Sequence, residues 1–100
     1  MDIRNMAMAG TLESSDVQVT VEPGQDGIVL DISSSVIRQY GRQIKQVVLD
    51  TLSRLEVKTA KVTVVDQGAL DCTIKARVEC AVFRSNGQTD DIPWGGAVRE

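Results

Sequence analysis

One hundred residues, 42% hydrophobic and 25% charged, suffice for a single domain with one modest core and leave no room for a second. A net charge of −3 and a pI of 4.9 argue against nucleic acid, whose binding domains present a basic field. No apolar run approaches the roughly 20 residues a membrane helix needs, and without histidine neither histidine-based acid–base chemistry nor a Cys/His zinc site can be built.

Residues 1–15 show no sustained period and read as a flexible arm, since chain ends are poorly ordered unless tied down. The opening Met1-Asp2-Ile3-Arg4-Asn5 has no basic region followed by an apolar segment, so no signal peptide is expected and the protein is placed in the cytoplasm. Strict alternation begins at Asp16: Val17, Val19 and Val21 face one way, and Gln18, Thr20 and Glu22 the other, as in a half-buried strand. Pro23-Gly24-Gln25-Asp26-Gly27 has turn chemistry. Ile28, Leu30 and Ile32 then alternate with Val29, Asp31 and Ser33, so the two strands are expected to pair as a β-hairpin.

At Ser33-Ser34-Ser35 the period changes, and a serine hydroxyl is expected to cap a helix. Apolar residues then recur at helical spacing through Ile37, Tyr40, Ile44, Val47, Val48, Leu52 and Leu55, while Arg38, Arg42 and Lys45 fall on the wet side. Gly41 interrupts neither stripe and reads as a close-packing position, at a propensity cost of about 1 kcal/mol. Ala60, Val62 and Val64 alternate again as a third strand, and Asp66-Gln67-Gly68 reads as a turn. Leu70, Cys72, Ile74, Ala76, Val78, Cys80 and Val82 continue the alternation, which predicts a fourth strand over Ala69 to about Glu79. For residues 76–84 strand and helix both remain open, because nothing there breaks a helix. Residues 86–100 form a turn-rich tail with Ile92 and Trp94 as its apolar residues.

The elements predict an α+β domain over residues 16–85, in the order β-β-α-β-β, with one main helix packed on one face of a small mixed sheet. Cys72 and Cys80 lie in one element, separated by about 26 Å as a strand or about 12 Å as a helix. Either exceeds the roughly 7 Å limit for a disulfide, so both are expected as small core residues. Asp66 suits a turn, and Asp71 starts the polar face of the last strand, so neither is expected to act as a catalytic acid or base.

The arm ends in Gly10-Thr11-Leu12-Glu13-Ser14-Ser15-Asp16. Physics alone makes this an accessible loop bearing hydroxyls. As a string it looks like the prosthetic-group attachment segment of the citrate lyase acyl carrier family, the gamma subunit of that enzyme. Ser35-Val36, Gln39-Tyr40-Gly41, Asp66 to Cys72 and Ile92-Pro93-Trp94 extend the resemblance in order along the chain. The resemblance implies a carrier with no catalytic residues and no metal. Ser14 would bear 2'-(5''-phosphoribosyl)-3'-dephospho-CoA through a phosphodiester, and acetyl and citryl thioesters would ride on that group while citrate is cleaved to acetate and oxaloacetate. The position after the attachment serine is commonly glycine in the family; here it is Ser15, which leaves a second hydroxyl as the less favoured site. The implied partners are an alpha acyl transferase subunit, a beta acyl lyase subunit and a prosthetic-group transferase. A carrier of citramalate lyase would look similar, whereas a malonate decarboxylase carrier fits less well because its attachment segment reads differently. The helical bundle of fatty-acid acyl carriers does not fit the predicted elements. From a different class, an unmodified interaction module remains the alternative.

Overall fold

The computed structural model describes residues 3–87, and the expectations for Ile92, Trp94 and the remaining tail lie outside them. Strands β1 (Ala7–Gly10), β2 (Val17–Glu22) and β3 (Ile28–Ser34) precede helix α1 (Ile37–Arg54), strand β4 (Ala60–Asp66) and helix α2 (Asp71–Ser85). The strands form one mixed sheet in the order β1-β2-β4-β3, antiparallel throughout except for the parallel β3–β4 pair. The α+β class and small mixed sheet are as the sequence implies, and the details depart from it in four places.

The pairing of β2 with β3 is the first. β4 lies between them, with Val19 opposite Val64 on one side and Ile32 opposite Val64 on the other. The stretch 23–27 therefore crosses the end of β4 instead of folding a hairpin. Gly24 serves that crossing, since a Cβ there would lie 2.8 Å from the Ala60 nitrogen. The Ala60 N–H in turn donates to the Gly27 carbonyl at 3.1 Å. Alternation sets which face of a strand is buried; it says nothing about which strand lies alongside.

The second departure is α2, which replaces the predicted fourth strand over 69–79 and covers the helical alternative for 76–84. Ile74, Val78, Ala81, Val82 and Ser85 are buried, which is helical spacing superposed on the alternation read from the sequence. Sheet width supplies the physical reason. Four strands spaced about 4.8 Å apart present a face too wide for one helix of about 10 Å diameter. Accordingly, α1 lies over β3 and α2 over β1 and β2, both on the same side, with the helices packed together. Val17, Val19, Val21, Val62 and Val64 point into that layer and are fully buried, worth about 1.5–3 kcal/mol each.

Third, residues 7–10 of the expected arm form edge strand β1, in which Ala9 is the one buried side chain. Fourth, the serine run does not cap α1. Its N-cap is Val36, without a side-chain bond. Ser34 ends β3, where its hydroxyl accepts the Val36 N–H at 3.1 Å and donates to Asp66 Oδ2 at 2.8 Å. At Gly41 a Cβ would meet the Ile37 side chain at 2.8 Å, so the close packing expected there is with a side chain of its own helix.

Candidate functional site

Three connections meet at one end of the sheet: the β1–β2 loop 11–16, the β3–α1 junction at Ser34 to Val36, and the β4–α2 turn 67–70. Gly10 opens the first loop with φ +93°, and a Cβ there would fall 1.8 Å from the Val17 carbonyl oxygen. Only glycine fits a positive φ with so close a backbone approach. The Asp16 N–H donates to the Glu13 carbonyl at 3.2 Å, closing a turn with Ser14 and Ser15 at its centre. Ser15 has φ +63°, the conformation that the third position of a type II turn requires and that glycine adopts without strain.

The loop is braced from below. The Ser15 N–H donates to the Gln67 carbonyl at 2.7 Å, and the Gln67 N–H donates to the Asp16 carbonyl at 2.9 Å. The Asp16 carboxylate accepts the Thr11 hydroxyl at 2.6 Å and the Val17 N–H at 2.7 Å. Arg77 of α2 reaches across 61 positions of sequence to fork onto both its oxygens at 3.1 Å. The Thr11 hydroxyl, the Val17 N–H and the Arg77 guanidinium together lower the Asp16 pKa to about 2, against a smaller opposing effect of burial. Asp16 is therefore ionised and charge-compensated at neutral pH.

Ser14 sits on the outer corner of this turn. It is exposed, and no hydrogen bond joins its hydroxyl to another described residue. Ser15 is exposed too, but its main chain is tied to Gln67. The loop thus presents two hydroxyls from a fixed backbone, with that of Ser14 at the turn position that carries no positive φ.

Asp66 plays the turn role expected of it. Only 1% exposed, it accepts the Gly68 N–H at 3.1 Å and the Ala69 N–H at 3.0 Å besides the Ser34 hydroxyl. Asp71 is not on a strand; it begins α2 and accepts Gln43 Nε2 of α1 at 2.7 Å. Both cysteines are free. Cys80 is in the core as expected, whereas Cys72 is exposed. Arg38, Arg42 and Lys45 are solvated. The Arg77 brace and the Gln67 bridge are absent from the sequence reading, and no local pattern could have revealed contacts between such distant positions.

Beside the loop lies an open groove of about 610 Å³ between α1 and the 66–72 segment. Val36, Tyr40, Ile44 and Leu70 give it an apolar lining, with Asp66, Asp71 and Cys72 at its margin. Tyr40 is 49% and Leu70 71% exposed, large apolar surfaces left open to solvent.

Residues 4–85 match the family described as Malonate decarboxylase delta subunit (MdcD). A protein of Oenococcus oeni named citrate lyase acyl carrier protein is 50% identical over 94 residues, covering 94% of this chain and 97% of its own. One of the same name from Vibrio cholerae is 55% identical over 95 residues, covering 94% and 96%. Among solved structures, a chain of a Pseudomonas malonate decarboxylase hetero-tetramer in complex with malonate superposes with a TM-score of 0.72. That match covers 85% of this chain and 88% of the other, and at 23% identity it speaks for the fold alone. With identity near one half along almost the whole length, the chain belongs to the citrate lyase acyl carrier protein family.

Proposed function

We propose that this chain is the acyl carrier subunit of a cytoplasmic citrate lyase, bearing phosphoribosyl-dephospho-CoA on the Ser14 Oγ. The observation that carries the reading is an exposed serine at the corner of a braced turn, in a chain about as long as its citrate lyase relatives. The residues present fit such a group. A phosphodiester on Ser14 would add negative charge two residues from Asp16, and the Arg77 fork already compensates that carboxylate. Gln67 and Gly10 hold the loop backbone, so the hydroxyl is offered from a defined position to a prosthetic-group transferase.

When bound, the group supplies a thiol on which acyl groups travel as thioesters between an alpha acyl transferase subunit and a beta acyl lyase subunit. The chain's own contribution is attachment and presentation. Tethering turns each meeting with a partner active site into an effectively intramolecular event, at an effective concentration on the order of millimolar. Among the described residues no His/Cys/Asp/Glu cluster suited to a metal is found.

The test is loading by the transferase, followed by intact mass. Ser15→Ala should gain the prosthetic group at wild-type yield and Ser14→Ala should gain none. Full loading of the Ser14→Ala protein overturns the assignment.

A further inference from the structure

The groove and the Ser14 turn share a wall. Gln67, whose main chain is bonded to both Ser15 and Asp16, sits between two residues that line the groove, Asp66 and Gly68. A group anchored on Ser14 is therefore tethered at the lip of a cavity whose volume lies within the roughly 300–1,000 Å³ typical of small-molecule sites. From this juxtaposition we propose that the groove is a berth for the prosthetic arm on its own carrier domain, and that it accepts the arm's uncharged acetylated end while leaving a citryl end in solvent. The inference rests on the reading of Ser14 as the attachment residue.

The lining decides the selectivity. Its apolar side chains suit the methylene segments and methyl thioester of an acetylated arm, and the Tyr40 hydroxyl and Gln43 amide supply polar partners for its amides. Among the described residues, the acidic groups at its margin are the carboxylates of Asp66 and Asp71. Asp66 is held by Ser34, Gly68 and Ala69, whereas the exposed Asp71 accepts Gln43 on Oδ2 and keeps its negative charge at the groove margin. Among the described residues no lysine or arginine lines the groove. A citryl end brings two carboxylates, which would enter an apolar space without a compensating cation, next to charges of the same sign. Strong intrinsic affinity is unnecessary. A tethered ligand at an effective concentration on the order of millimolar half-fills a site of similar Kd. Such an arm rests on its own domain between visits and is released once citryl replaces acetyl.

Cys72, exposed at the groove margin, reports occupancy, and buried Cys80 serves as control. The full-length protein is compared without the group, in acetylated form and in citryl form, by the rate of alkylation at Cys72 read by peptide mass and by the amide spectrum. Acetylation is expected to slow Cys72 by about twofold or more, the effect of half-occupancy. It should also shift Tyr40, Leu70 and Cys72, and the citryl form should return all of these towards the unloaded values. Leu70→Asp alters a side chain already in solvent; it should load at wild-type yield yet lose the protection. Equal Cys72 rates in the three forms, with shifts confined to residues 11–16, overturn the berth and leave the attachment reading intact. So does Cys72 protection already complete in the unloaded protein, which would assign the groove to another part of the chain. Failure to load at all removes the attachment reading, and the berth with it.

Discussion

The loops 11–16 and 23–27 look alike as strings. Each follows or contains a glycine of positive φ, each carries at least one acid, and each leads out of a strand into another. The fold uses them differently. Loop 23–27 carries the chain across the end of β4, held by the Gly24 approach and one main-chain bond to Ala60. Among the described residues it makes no side-chain hydrogen bond. Loop 11–16 closes a true hairpin and recruits Arg77 from α2 and Gln67 from the β4–α2 turn to fix its backbone. A connection needs only to reach. A presentation loop must hold a backbone still while leaving one side chain free, and that demands partners from elsewhere in the chain.

The sharpest way to break this contrast is at the glycines. Gly10→Ala puts a Cβ against the Val17 backbone at positive φ and should cost about 3 kcal/mol or more in urea unfolding. Gly27→Ala, also at positive φ but with open space around it, should cost only about 1 kcal/mol. Similar losses at both positions would erase the distinction between the loops.

Next comes the shared turn. Asp66→Ala strands the Gly68 and Ala69 N–H groups and should cost about 2–3 kcal/mol. Arg77→Ala removes a half-exposed fork, so a smaller effect of about 1–2 kcal/mol is expected. Amide exchange should quicken at residues 11–17 and not at 23–27. Uniform quickening would mean that Arg77 merely stabilises the domain.

Acid acts on the same brace. A carboxylate with a folded pKa below its unfolded value contributes stability that is complete above the unfolded pKa and is lost as pH falls through the folded one. Asp16 should therefore hold loop 11–16 fully above about pH 4, with the protection draining as pH falls towards about 2. An amide-exchange titration of Val17 checks this; loss already complete at pH 4 would contradict it. The smallest effect is a gain. Ser15→Gly relieves a left-handed serine and should stabilise by up to about 1 kcal/mol, the strain relief being partly offset by a looser unfolded chain.

Much of the fold was legible because β2, β3, α1 and β4 each carry a single clean period. α2 was not, because Leu70 to Val82 alternates while Ile74, Val78 and Ala81 also keep helical spacing. Sheet width, a property of the whole molecule, decided between them. β1 hides because a four-residue edge strand with one buried alanine gives no period. Strand order was illegible for another reason: Pro23 to Gly27 has the same chemistry whether it folds a hairpin or crosses a strand. At the site, family resemblance singled out Ser14, while the Asp16–Arg77 pair and the groove arise only once distant segments meet.

The central claim is best tested by fragmentation of the loaded wild-type protein. After trypsin, the peptide spanning residues 5–38 holds Ser14, Ser15 and the serines at 33–35. The account predicts that fragment ions place the whole phosphoribosyl-dephospho-CoA increment on Ser14. An increment on Ser15 or within 33–35 would contradict it.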